Sequence, residues 1–139
     1  MKIKELAKAC GIFSAIAITL LLVGCSQRPP EEVVEERSQA RWDALVARDV
    51  DTAYTFYSPG FRAQTQASSF AALMLTRPIR WDNAEVTSVE CQEDLCTVVV
   101  SLAYTAVGAP GVLAGMQNER PITETWLKID GDWWYSRDG

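Results

Sequence analysis

Residues 121–137 read Pro-Ile-Thr-Glu-Thr-Trp-Leu-Lys-Ile-Asp-Gly-Asp-Trp-Trp-Tyr-Ser-Arg. Asp130-Gly131 tolerates the left-handed backbone of a two-residue turn, and β-forming residues flank it on both sides, so the stretch predicts a hairpin. With that turn, Ile129 pairs with Asp132, Leu127 with Trp134, Trp126 with Tyr135 and Glu124 with Arg137. Leu127, Ile129 and Trp134 then share one face of the sheet, and Trp126, Trp133 and Tyr135 share the other. One apolar face packs on the rest of the domain. The other either is covered, by a second copy of the chain, by a partner, or by the Gly108–Asn118 loop with Val112, Leu113 and Met116, or leaves its Trp residues half-buried at the sheet edge.

Upstream, Val98, Val100, Leu102 and Tyr104 alternate with Val99, Ser101, Ala103 and Thr105, the pattern of a half-buried strand. Trp81-Asp82-Asn83 reads as a polar turn leading into the strand before it. Cys91 and Cys96 bracket Gln92-Glu93-Asp94-Leu95 where the chain reverses. Whether Glu93-Asp94 is a two-residue turn or all four residues form the loop, the cysteines face each other, and a structural disulfide is expected. So small a closed loop contributes roughly 2 kcal/mol by chain entropy. Two thiols fall short of the four ligands zinc wants, and a redox pair prefers C-x-x-C at a helix start.

Before residue 78 the period is helical. Pro30 stands near a helix start, Glu31, Glu32, Glu35 and Glu36 fill the first turns, and Arg37, Arg41 and Arg48 come after them. Val34, Trp42, Leu45 and Val46 lie on one side. Asp49 or Asp51 caps a second, short helix carrying Ala53, Tyr54, Phe56 and Tyr57, which Ser58-Pro59-Gly60 stops. A third runs from Ser69 to Thr76 and ends at Pro78. Helices first and strands afterwards predict an α+β domain, with three N-terminal helices on a curved antiparallel sheet of about four strands.

The chain has 139 residues, 48% hydrophobic and 22% charged, with a net charge of −5. That length supports one core. Acidic balance without a basic run excludes nucleic acid as a partner. There is no histidine, which removes the Ser-His and Cys-His catalytic arrangements and the commonest metal ligand. No cofactor is expected.

The first residues form an address. Lys2, Lys4 and Lys8 precede an apolar run from Ala9 to Val23, too short to span roughly 30 Å of hydrocarbon comfortably. The run ends Leu22-Val23-Gly24-Cys25, which resembles the lipobox of bacterial lipoproteins. That resemblance implies cleavage between Gly24 and Cys25 and lipidation of Cys25. Residues 1–24 are then the signal peptide, 25–30 the lipidated Cys and a short tether, and 31–139 the domain. Of 13 basic and 18 acidic residues, cleavage removes three Lys and one Glu, leaving 10 against 17 and a net −7. An acidic domain is repelled by anionic lipid, so the acyl chains must hold it at the membrane. Export places Cys91 and Cys96 in an oxidising compartment. Ser26 is compatible with sorting to the outer membrane.

Trp42-Asp43-Ala44-Leu45, Arg48-Asp49, Ala53-Tyr54 and Tyr57-Ser58-Pro59-Gly60-Phe61-Arg62 resemble the helical half of the nuclear transport factor 2-like superfamily. Glu124-Thr125-Trp126 and Asp130-Gly131-Asp132-Trp133-Trp134 resemble its last hairpin. The resemblance covers about residues 31–137. It implies a sheet curved against helices around a cavity, with the superfamily's early strand pair reduced to the region around Phe61. Members include isomerases, cyclases, dehydratases and non-catalytic binding domains, and many dimerise through the outer sheet face.

Two carboxylates are candidate acids. Glu124 lies mid-strand among apolar neighbours, where a carboxyl can accept a proton, or it forms a cross-strand ion pair with Arg137. Asp82 could face the cavity with Tyr54, Tyr57 or Tyr104 as phenol donor, or belong to a turn. Trp42, Tyr54, Tyr57, Phe61, Tyr104, Trp126 and Trp134 are candidate cavity residues that equally suit a core. The sequence therefore predicts a lipid-anchored envelope protein with a non-catalytic ligand- or partner-binding domain. The alternative is a small enzyme or hydrophobic-ligand carrier that uses the cavity.

Overall fold

The computed structural model describes residues 27–107, 111 and 115–137. Gly24 and Cys25 lie outside them, as do Val112 and Leu113 of the loop offered as a sheet cover. Among the described residues no helix is long and apolar enough to cross a membrane.

The first helix, α1, spans Pro30–Val46, with Pro30 at its first position and Glu31 and Glu32 in its first turn. Its inward stripe is Val34, Ser38, Arg41, Trp42 and Leu45, which keeps helical spacing but carries two polar members. It ends in a Schellman turn. Arg48 takes the left-handed conformation (φ 60°), its N–H donates to Leu45, and the N–H of Asp49 donates to Ala44 at 2.8 Å. Asp49 then caps α2 (Val50–Tyr54), its carboxylate accepting from the N–H of Thr52 at 3.1 Å. Hydrogen bonding from Thr52, its side chain first and then its backbone N–H, holds the Asp49 carboxyl below the usual carboxylate range.

Ser58-Pro59-Gly60 starts a helix as well as ending one. The α3 helix spans Pro59–Gln64, with the Ser58 hydroxyl accepting from the N–H of Phe61. A hydroxyl cap with proline next to it at the first helical position is a start signal, so the described residues hold four helices where three were expected. No reduced strand pair surrounds Phe61. The last helix, α4, spans Ala67–Leu75 and buries Phe70 and Met74.

The sheet is an antiparallel meander in the order β1-β2-β3-β4: β1 Ile79–Gln92, β2 Leu95–Ala106, β3 Gln117–Ile129 and β4 Asp132–Ser136. Trp81-Asp82-Asn83 lies inside β1 instead of leading into it. The β1–β2 register slips once at Asp82 and once at Thr87, and such bulges bend a strand and curve the sheet. In the last hairpin Ile129 pairs with Asp132, Leu127 with Trp134 and Trp126 with Tyr135, the register expected from Asp130-Gly131. Glu93-Asp94 is a two-residue turn, Cys91 pairs with Cys96, and a disulfide joins them with the Cα atoms 4.0 Å apart.

The helix-facing side carries Ala84, Cys96, Val98, Val100, Leu102 and Trp126, packed on Val34, Trp42 and Leu45. The far side is mostly polar, with an apolar strip at one end where Leu95 (43% exposed) adjoins Leu127 and Trp134. The edge of β4 is covered by the segment after α2. Tyr135 donates its N–H to Phe56 and Ser58 donates to Tyr135, at 2.9 and 3.0 Å. β4 pairs only with Thr125–Ile129, so residues 117–124 of β3 have no outer neighbour among the described residues. Pro121 falls in that bare stretch, where it removes no bond to a further strand.

Two glycine substitutions are expected to act in opposite directions in urea unfolding. Gly131 sits at φ +88°, so Gly131→Ala lowers stability by about 1–2 kcal/mol. Gly60 has open space around its Cα and no positive φ, so Gly60→Ala raises stability by about 0.5 kcal/mol through the unfolded chain.

Candidate functional site

The polar members of the α1 stripe meet β3. Glu124 lies on the inner face between Ile122 and Trp126 and is 2% exposed, as is Arg41. One oxygen of the Glu124 carboxylate, Oε1, accepts from a terminal nitrogen of Arg41 and from Trp42 Nε1 at 2.7 Å. The other, Oε2, accepts from the Ser38 hydroxyl at 3.0 Å and from Trp126 Nε1 at 3.1 Å. A carboxylate has about four lone-pair sites, so this one is full. The expected pair with Arg137 does not form. The register would place Arg137 beside Glu124, but β4 ends at Ser136 and Arg137 turns away over the ring of Phe61. Arg41 reaches the carboxylate from the buried side.

Aromatic rings hold the Arg41 guanidinium. Its central carbon lies 4.0 Å from the ring centre of Tyr135 and 4.7 Å from that of Trp42, and one terminal nitrogen approaches the Tyr57 hydroxyl at 3.5 Å. Its Nε has no acceptor among the described residues. Burial pushes the phenols of Tyr57 and Tyr135 above the ordinary value near 10, and the positive charge of Arg41 opposes that rise in both.

Beside this knot a cavity of ≈ 380 Å³ opens between α1, the end of α4 and the helix-facing side of the sheet. Of the aromatic residues expected there, Trp42, Tyr57 and Tyr104 line it, joined by Trp81 and Tyr135. Trp42 and Trp81 meet edge to face at 5.9 Å. The other four lie elsewhere. Trp126 is buried as a donor to Glu124. Tyr54 and Phe61 pack around Phe70 in a second apolar cluster under α4. Trp134 is half-buried at the β4 edge, beneath the guanidiniums of Arg37 and Arg62.

Asp82 does not face the cavity. As the extra residue of a bulge, its carboxylate accepts from Thr105 at 2.5 Å and from Arg80 at 2.9 Å. Those two contacts, the hydroxyl first, hold it below the usual carboxylate range. Sequence reading missed five lining residues that carry charge or a large ring: Arg41, Arg77, Trp81, Arg120 and Tyr135. For Arg41 a signal existed, since it shares a helical stripe with Val34, Trp42 and Leu45, and a buried guanidinium demands a buried anion. Among the described residues no three metal-ligating side chains come together.

Removing one partner of the knot leaves an uncompensated buried charge. Glu124→Ala is expected to lower stability by about 3–5 kcal/mol in urea unfolding, and Arg41→Met with Glu124→Leu together by less than either alone. Alkaline pH tests the phenols. In the unfolded chain tyrosine ionises near pH 10, while Tyr57 and Tyr135 stay protonated to higher pH in the fold. The unfolded state then binds fewer protons, so stability falls as pH rises through that window, and Tyr57→Phe with Tyr135→Phe flattens the fall. Unfolding midpoints across the alkaline range measure it.

No protein-family model matches the chain, and no curated protein matches it in sequence. Solved structures do resemble it. A SEC-C motif-containing protein from Rhodopseudomonas palustris is 17% identical with a TM-score of 0.56, over 73% of each chain. Another from Psychrobacter arcticus is 14% identical with a TM-score of 0.58, over 81% of this chain and 63% of that one. A protein from Streptomyces avermitilis, named as a dehydratase of the nuclear transport factor 2-like family, is 15% identical with a TM-score of 0.53, over 76% and 90%. The likeness to this last protein is one of fold, helices laid on a curved antiparallel meander, and the chain has the nuclear transport factor 2-like fold.

Proposed function

We propose that the protein is a lipid-anchored cell-envelope protein whose domain holds a small ligand without transforming it. The observation that carries the non-catalytic reading is the state of Glu124. Its two oxygens already accept four hydrogen bonds from Ser38, Arg41, Trp42 and Trp126. A general acid or base needs a lone pair or a proton within reach of the substrate, and here the donors of the fold occupy those positions. Asp82, the other candidate acid, is engaged by Thr105 and Arg80 away from the cavity lining.

The binding reading is supported by the cavity itself. At ≈ 380 Å³ it falls within the roughly 300–1,000 Å³ of small-molecule sites, and rings of Trp42, Trp81 and Tyr104 line it. The envelope location is supported by Leu22-Val23-Gly24-Cys25 after a short apolar run and by the Cys91–Cys96 bridge, which persists in oxidising compartments. The apolar strip at Leu95, Leu127 and Trp134 gives the outer face a place for a second copy or an envelope protein.

Two measurements on the full chain, produced in a bacterial host, test this reading. The chain is expected in the membrane fraction with a mass raised by acyl groups, and Cys25→Ser is expected in the soluble fraction without them. Added naphthalenemethanol is expected to quench tryptophan emission saturably, one molecule per chain, because Trp42 and Trp81 line the cavity. An unacylated native chain overturns the anchoring, and an absence of saturable quenching overturns the binding role.

A further inference from the structure

The cavity is basic in an acidic protein. Four of the nine arginines, Arg41, Arg77, Arg120 and Arg137, line it against a single carboxylate, that of Glu124, while the chain as a whole carries −5. Arg41 neutralises Glu124. Arg77 and Arg120 form no ion pair among the described residues. Arg120 is exposed and Arg77 partly so, which sets them at the mouth while Arg41 lies on the floor.

Each mouth arginine rests on a ring of the cavity wall. The guanidinium carbon of Arg77 lies 5.9 Å from the ring centre of Trp81, and that of Arg120 lies 5.7 Å from that of Tyr104. At those distances the rings attract the guanidiniums toward the wall and leave their N–H groups free to donate to an anion. Between mouth and floor the wall is apolar, with Trp81, Leu102 and Ile122.

We propose that the cavity takes an organic carboxylate with a compact apolar body: the carboxylate is held by Arg77 and Arg120 at the mouth, and the body lies against Trp81, Leu102 and Ile122. The proposal rests on the ligand-binding reading above and adds the chemistry of the ligand. It also accounts for the charge distribution. An acidic surface repels anions at a distance, and the arginines create a local positive field only where the ligand enters.

Three naphthyl probes of similar size separate the two readings on the full chain: naphthoate, naphthalenemethanol and naphthylmethylammonium, each titrated against tryptophan emission. Naphthoate is expected to bind about tenfold or more tighter than the alcohol, with the ammonium weakest, because a charge-assisted fork adds to the apolar contact. Added salt narrows the gap. In the double variant Arg77→Gln, Arg120→Gln the naphthoate affinity is expected to fall to that of the alcohol. The alcohol's own affinity stays within about twofold, which shows that the cavity is intact. Arg77→Lys with Arg120→Lys retains the charge but loses the fork, and keeps part of the preference. Equal affinities for all three probes, or a preference that survives Arg77→Gln, Arg120→Gln, overturns the carboxylate proposal and leaves the binding role standing. No saturable binding of any probe overturns both.

Discussion

A carboxylate taken out of water loses several kcal/mol of solvation, and the fold must supply substitutes for the lost water or leave the group uncharged. Glu124 receives four: a guanidinium, a hydroxyl and two indole N–H groups. Three of those donors come from α1 and one from β3 itself, so the helix can dock on the sheet in only one register. A slide of α1 by one residue would carry Ser38, Arg41 and Trp42 off the carboxylate together. The placement of the cavity is a consequence of that lock. Trp42 is fixed as a donor, its ring sets the edge of Trp81, and Arg41 lies over Tyr135 and so ties the last strand to the same point.

Curvature and truncation make the space that this lock borders. Bulges at Asp82 and Thr87 bend β1 around the helices. The last strand stops at Ser136 and leaves residues 117–124 of β3 without an outer neighbour among the described residues. Access to the interior is therefore along the part of β3 that carries Arg120, Ile122 and Glu124, and the order of those side chains runs from exposed charge to buried charge. The carboxylate at the inner end of that order, Glu124, is fully engaged by donors of the fold.

The strands are legible because their signals are local. Asp130-Gly131 dictates its hairpin register, and Cys91 and Cys96 pair under either reading of the residues between them. The helix at Pro59–Gln64 escapes sequence reading because Ser58-Pro59-Gly60 carries two signals at once. It stops the helix on its N-terminal side and starts another on its C-terminal side, and the stop masks the start. The partner of Glu124 escapes for a different reason. Cross-strand register nominates Arg137 from 13 residues away, while the true partner lies 83 residues away on another element, and pattern reading along a strand cannot see it. Polar residues at the inward positions of both elements are the one available sign. The arginines of the mouth leave none, since Arg77 and Arg120 look like ordinary exposed charges until the fold brings them to one opening.

That sequence separation also decides when the structure can close. A polypeptide is made from its N-terminus, so α1 exists long before β3 does. Until residue 124 emerges, Arg41 and Ser38 sit on an otherwise apolar stripe with nothing to meet them. The helix can form early, but it cannot seat, and bridging 83 residues carries the loop-closure entropy that slows non-local folds. A nascent chain stopped short of the final hairpin therefore holds an unburied helix, and the domain becomes a domain only when nearly its last residues arrive.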